Sequence, residues 1–202
     1  VTLSGNSDEI SKLREKIKGK GEYSIIDFNN IIEMPEQLLK TNAGLGSDKA
    51  KEIIREIETK NKGTEIVLEH FDTFLNSDVG LYIQNYLQYG YVDWYDWALA
   101  NWDTKWNAHS QKSISDRQFT FETAWSSPYK VMKELSRMFP TIEIQVEYAD
   151  EDKGVNCGMY LLKNGEILEQ ESSDSLGEDA RRFAIELWGF DYDEYEAGLE
   201  ED

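Results

Sequence analysis

Few of these residues are of the kinds that staple, break or catalyse. Of 202 residues, one is cysteine (Cys157), three are proline and two are histidine, His70 and His109. A lone cysteine excludes an internal disulfide framework and suits a reducing compartment. There is no CxxC and no HxxxH pair, so the ligand spacing of a zinc site is missing and no metal is expected. No GxSxG elbow, P-loop or dinucleotide fingerprint occurs, and no cofactor is expected. No apolar run approaches the roughly 18 residues that a membrane helix needs. Positive charge is scarce as well. Twenty-one bases face 40 acids, for a formal net charge of −19. Binding a phosphate backbone requires a basic face. An anionic membrane surface would repel this chain. Neither direct nucleic-acid binding nor membrane association is therefore expected. The opening "VTLSGNSDEI" has no signal-peptide pattern, so a cytoplasmic protein is expected. The absent initiator Met reads as the loss of a first residue or few.

What is present is a globular composition, 40% hydrophobic and 12% aromatic. That is enough to bury a core without staples, and a single domain over residues 1–202 is expected. Excess acid keeps a protein soluble. It also attracts a basic protein surface at long range.

The patterning is legible in stretches. "VTLSG" alternates as a strand. Residues 6–21 read as a helix capped by Asn6 or Ser7, with Ile10, Leu13 and Ile17 on one face. "EYSIIDFNNII", residues 22–32, reads as a β-branched, aromatic strand. "MPEQLLK" starts a short helix, and "TNAGLGS" is a loop. Ser47 is expected to cap the next helix, whose stripe is Ala50, Ile53, Ile54 and Ile57. Residues 65–76 fit helix or strand equally. From Ser77 a helix runs through Val79, Ile83, Tyr86 and Leu87 to Gly90. A second helix then carries Trp94, Trp97, Ala98 and Trp102. Beyond residue 117 the period becomes two: Phe119 and Phe121 face one way in "RQFTFETAW". A helix begins at Ser127 and Pro128 and ends at Pro140. "TIEIQVEY" places Ile142, Ile144, Val146 and Tyr148 inward, with Glu143, Gln145 and Glu147 outward. Asn164-Gly165 signals a tight hairpin turn. A closing helix follows, then an acidic tail over 191–202 that is expected to fray.

Strand, helix, strand, helical insertion, strand, helix, strand is a split βαβ repeat. The expected fold is therefore α+β: a ferredoxin-like core over 1–28 and 115–150, a helical insertion over about 29–112 between strands 2 and 3, and a hairpin and helix over 154–190. The name describes the fold alone, since the cysteines of an iron–sulfur cluster are missing.

Six runs occur in order: "VTLSGN" (1–6), "DFNNIIEMPEQL" (27–38), "ANWDTKWNA" (100–108), "FETAWSSP" (121–128), "LSRMFP" (135–140) and "YADEDKGVNCG" (148–158). Together they resemble the Api92-like, YubB-type ferredoxin-like domain proteins of phages and conjugative plasmids. The resemblance implies a ferredoxin-like core and a mobile-element origin in a bacterial host. It implies no particular reaction. Family members usually carry Gly where this chain has Asp103. That implies a backbone position with positive φ, which Asp tolerates at modest cost.

Two sets of candidate residues follow. Under the first reading the chain is a non-catalytic, acidic binding protein of a mobile element. Its partner would be a basic, nucleic-acid-binding host protein such as a defence factor, and it would act as a counter-defence (anti-CRISPR-like) inhibitor. The acids offered are Glu147, Asp150, Glu151 and Asp152, with Asp191, Asp193 and Glu194 of the tail. Under the second reading a small-molecule pocket or an enzyme site sits at the Trp-rich corner. Trp102, Asp103, Lys105, Trp106, Asn107 and His109 would supply it. The spacing of Trp94, Trp97, Trp102 and Trp106 is helical, so the favoured expectation is that these rings, with Trp125, are core. Asn101, Thr104, Lys105 and Asn107 are expected to hold a turn. Cys157 is expected to be a small core residue, and no catalytic residue is assigned.

Overall fold

The computed structural model describes residues 1–22, 24–61, 77, 79–173 and 177–199. His70 and the ambiguous stretch 65–76 lie outside the described residues. The chain divides into two compact units, Val1–Ile32 with Trp106–Asp202, and Glu33–Lys105.

The first unit is built on a sheet. Strands β1 (Thr2–Ser4), β2 (His109–Ser115), β3 (Gln118–Glu122), β4 (Glu143–Tyr148), β5 (Cys157–Lys163) and β6 (Glu166–Ser173) form one sheet in the order β2-β3-β1-β4-β5-β6. Every neighbouring pair is antiparallel. Helix α1 (Ser7–Ile17) follows β1, and another helix (Tyr129–Met138) links β3 to β4. This is the ferredoxin-like split βαβ, widened by the β5–β6 hairpin. Asn6 caps α1, accepting from the N–H groups of Asp8 and Glu9 at 2.9 and 3.4 Å. Ile10, Leu13 and Ile17 are buried, as the spacing requires. Along β4, Ile144 and Val146 are buried while Glu143, Gln145 and Glu147 are half-buried on the other face. Asn164 and Gly165 both take positive φ, 50° and 78°, as an Asn-Gly hairpin turn demands.

The strand expected over 22–32 does not form. Residues 28–30 make a 3₁₀ turn, and the second core strand is β2. The apolar run is real, since Ile26 and Phe28 are 1% and 0% exposed. Its backbone is satisfied by side chains instead of a ladder. The Gln111 amide accepts from the N–H of Ile25 (2.6 Å) and Ile26 (2.8 Å) and donates to the Ile26 carbonyl (2.9 Å). Asn107 accepts from the Phe28 N–H at 2.9 Å. The helical segment therefore falls between α1 and β2, one element earlier than expected. Strand β2, "HSQKSIS", is a polar edge strand with no apolar alternation to betray it.

The second unit contains α2 (Leu45–Asn61), α3 (Gly80–Tyr89) and α4 (Trp94–Trp102). Ala50, Ile54, Val79, Ile83 and Val92 form its core. Ser47 lies inside α2 and does not cap it. Its hydroxyl bonds the fully buried carboxylate of Asp93. Asp93 in turn caps α4 by accepting from the Asp96 N–H at 3.0 Å. Helix α4 stops at Asp103, whose φ of 62° is the left-handed conformation implied by the family's usual Gly.

Helices α5 (Tyr129–Met138), α6 (Glu178–Leu187) and α7 (Tyr192–Leu199) complete the first unit. Helix α5 buries Val131, Met132 and Leu135 and packs on β4 and β5. The tail expected to fray is helical over 192–199. Asp191 accepts from the Glu194 N–H at 3.0 Å, and Arg181 pairs with Glu196 at 2.9 Å. Among the described residues no helix is long and apolar enough to cross a membrane.

Candidate functional site

The Trp-rich corner divides. Trp97 and Trp102 are 7% and 3% exposed and meet edge to face at 5.4 Å, so these two rings are core of the helical unit. Trp106 and Trp125 belong to the sheet unit and are 50% and 65% exposed. The core expectation is wrong for both. Helix α4 ends at its left-handed cap, so the helical spacing does not extend to Trp106.

Trp106 and Trp125 line a groove of about 470 Å³ in the sheet unit, and Phe121, Tyr148 and, after α6, Trp188 complete its aromatic lining. Four carboxylates line it too: Glu122, Glu147, Asp150 and Glu151. Among the described residues no lysine or arginine lines it.

Local sequence explains how these groups are held. Beyond β3 the chain turns through 123–128, where the Thr123 hydroxyl donates to the Ser126 carbonyl at 2.7 Å. Trp125 sits in that turn with φ 69°. A bulky side chain rarely adopts this conformation, and holding it there costs about 1–2 kcal/mol. Two other lining residues, Ser110 and Asn156, also have positive φ, 47° and 46°. Among the described residues five non-glycine positions have positive φ, and three of them line this one groove. Asn156 ties the parts together. Its amide donates to the Trp125 carbonyl at 2.9 Å and to the Asp150 carboxylate at 3.3 Å. Asp150 also accepts from the Asp152 N–H (3.2 Å), and its carbonyl takes the Trp188 indole N–H at 3.0 Å. The Lys153 ammonium lies 4.7 Å from the centre of the Trp188 ring, a cation–π contact at the groove's edge. Ser127 bonds Tyr160 behind the loop at 2.8 Å.

His109 stands opposite Glu122 across the β2–β3 ladder, Nδ1 to carboxylate 3.6 Å, with the Trp106 ring 6.4 Å away. Ser110 Oγ is 3.3 Å from the same Nδ1. A nucleophile–base–acid relay needs the hydroxyl and the carboxylate on opposite ring nitrogens. Both contacts here use one nitrogen, so this is not a triad.

The acids offered from sequence separate. Glu147, Asp150 and Glu151 line the groove, and Asp152 is exposed in the same loop. Asp191 caps α7, Asp193 lies 3.7 Å from Arg182, and Glu194 is exposed on α7. Of the corner residues, Trp106 and His109 line the groove. Trp102, Asp103 and Lys105 belong to the helical unit. Asn107 is a structural residue that donates to Asp27 at 2.7 Å and accepts from Phe28. Sequence reasoning missed Ser110, Glu122, Asn156 and Trp188 and misread Trp125. The readable signal was Asn156, one of the few residue types that tolerate the left-handed region.

Cys157 is 1% exposed against Ala180 and Ala184 of α6, and burial pushes its thiol pKa up. A thiol of that kind is an inert core group. Among the described residues no three His, Cys, Asp or Glu side chains converge as metal ligands. A larger cleft of about 650 Å³ lies over α1 and β2. Its charges balance, with Arg14, Lys18 and Lys112 against Glu15, Glu22 and Asp116. Arg14 there is already engaged, on Ser113 at 2.8 Å and over the Phe119 ring at 4.6 Å.

Residues 101–191 match the family described as the ferredoxin-like domain in Api92-like protein. No curated protein and no solved structure matches the chain.

Proposed function

For a chain whose residues 101–191 belong to the Api92-like ferredoxin-like family, we propose a non-catalytic binding role in which the groove takes a cationic segment of a basic protein. The observation that carries this reading is the lining: aromatic faces beside four carboxylates, with no lysine or arginine among the described residues of the wall. An aromatic face attracts a cation by about 0.5–2 kcal/mol, more as water is excluded. The net charge of −19 supports the same polarity at long range and speeds encounter with a basic surface. Nucleic-acid-binding proteins carry such surfaces. In a mobile-element protein, a host factor of that kind is the partner class that fits, and covering its nucleic-acid groove would inhibit it.

Titration with an oligolysine peptide, followed by Trp fluorescence and anisotropy, tests the groove. Neutralising Glu122, Glu147 and Glu151 to Gln should weaken binding at least about tenfold, or ~1.4 kcal/mol. Neutralising Asp191, Asp193 and Glu194 at the start of α7 changes the net charge by the same amount and should have little effect. Equal weakening by the two triple variants would mean that bulk charge, not the groove, binds the peptide.

A second reading, a small-molecule site, is favoured by the His109–Glu122 pair in the wall. His109→Ala would abolish function under that reading and leave peptide binding intact under the first.

A further inference from the structure

We infer that the groove seats an arginine side chain, its guanidinium flat against the Trp125 ring and its edge turned to the Asp150 carboxylate. This rests on the cation-binding reading above and narrows it to one cation. A guanidinium is planar. Its faces are weakly hydrated and stack on aromatic rings, while its N–H groups lie in the plane and match carboxylate oxygens. A seat for it needs an aromatic face and a carboxylate held in fixed relation. An ammonium is compact and strongly hydrated, and needs only charge.

Asn156 ties the Trp125 main chain, from which the exposed ring projects, to the Asp150 carboxylate. One amide nitrogen bonds both the Trp125 carbonyl, at 2.9 Å, and the Asp150 carboxylate, at 3.3 Å. Trp125 and Asn156 both stand in the left-handed region, which Asn tolerates, so the strain at this contact sits on Trp125. Trp125 is 65% exposed, so the strain presents the ring and does not bury it. Asp150 is braced from further sides by the Asp152 N–H and, through its carbonyl, by the Trp188 indole. The two carboxylate oxygens keep lone pairs beyond those bonds, enough to accept in-plane N–H groups. The same chain already stacks guanidinium on aromatic rings elsewhere, Arg182 over Tyr192 at 4.0 Å and Arg14 over Phe119 at 4.6 Å.

The experiment compares an oligoarginine and an oligolysine peptide of equal length and charge by fluorescence anisotropy at one salt concentration. The wild-type protein should bind the arginine peptide about tenfold more tightly, the size of one desolvated stacking contact. Asn156→Gly keeps the left-handed backbone but cuts the tie. It should lower the preference to about threefold or less, weakening oligoarginine binding more than oligolysine binding. Trp125→Gly, which removes the face at an equally compatible backbone, should also lower the preference to about threefold or less, with oligolysine binding weakened by the smaller factor. Equal affinities in the wild type, or a preference that survives both substitutions, would overturn the arginine seat and leave a general cation site standing. Absence of binding by either peptide would instead bring down the cation reading itself, and this inference with it.

Discussion

Trp125 is where stability and presentation part company. Its left-handed backbone costs about 1–2 kcal/mol, and an exposed ring regains little of that by burial. Trp125→Gly removes the strain but adds about 0.4–1 kcal/mol of unfolded-state entropy. The expected result is a chemical-denaturation stability within about 1 kcal/mol of wild type, alongside lost arginine preference. A large fall in stability would mean that the ring is structural after all. Asp103 makes the converse case. It holds φ 62° at the end of α4, so Asp103→Val should destabilise the protein by about 1–2 kcal/mol, read as a lower denaturant midpoint. That left-handed site was legible in advance, because family members usually place Gly there. Trp125 was not legible. Nothing in "FETAW" distinguishes a ring at strand parity from a ring thrown outward by a positive φ.

Elements were readable where one pattern governs both backbone and burial. Helix α1, strand β4 and the Asn164-Gly165 turn are of that kind, because alternation or capping residues specify them locally. Residues 22–32 and β2 were not. Ile26 and Phe28 owe their β-like composition to burial, with Ile25 half-buried beside them, while Gln111 and Asn107, some eighty residues away, supply their backbone partners. Such a long-range side-chain substitute for a ladder leaves no local mark. Two tests belong at this scale. At Gly158, in β5, an added Cβ would stand 2.9 Å from the Ser172 Cα of β6. Gly158→Ala should therefore cost about 1–3 kcal/mol and loosen the hairpin in amide hydrogen exchange. The second concerns α2 and α3. The Tyr86 hydroxyl bonds Glu58, and that bond, with burial and the Glu58 charge, pushes the phenol from 10.0 up to about 12. Below pH 10 both folded and unfolded chains keep the proton, and the bond contributes in full. Between pH 10 and 12 the unfolded chain loses its proton first, so stability falls as pH rises. Tyr86→Phe should lose less melting temperature across that window than wild type, whatever its stability at neutral pH.

At the scale of the whole molecule the charge acts in two opposed ways, and salt separates them. A formal net charge of −19 repels itself in the folded state. The ion pairs that offset it are mostly exposed. Lys12–Glu9, Lys40–Glu36 and Arg137–Glu134 all lie on the surface within single turns, where such pairs are worth roughly 0–1 kcal/mol. Added salt screens charges beyond a Debye length of about 8 Å at physiological strength, so it should weaken the net repulsion more than these short pairs. Melting temperature should therefore rise with sodium chloride. Affinity for a cationic peptide should fall over the same range, because attraction between the acidic surface and the peptide is screened as well. The arginine-over-lysine ratio should hold nearly constant throughout, since stacking on Trp125 at van der Waals contact lies inside the screening length. A ratio that collapsed with salt would reduce the groove to a patch of charge. A melting temperature that fell with salt would mean that specific ion pairs, not net repulsion, set the stability of this chain.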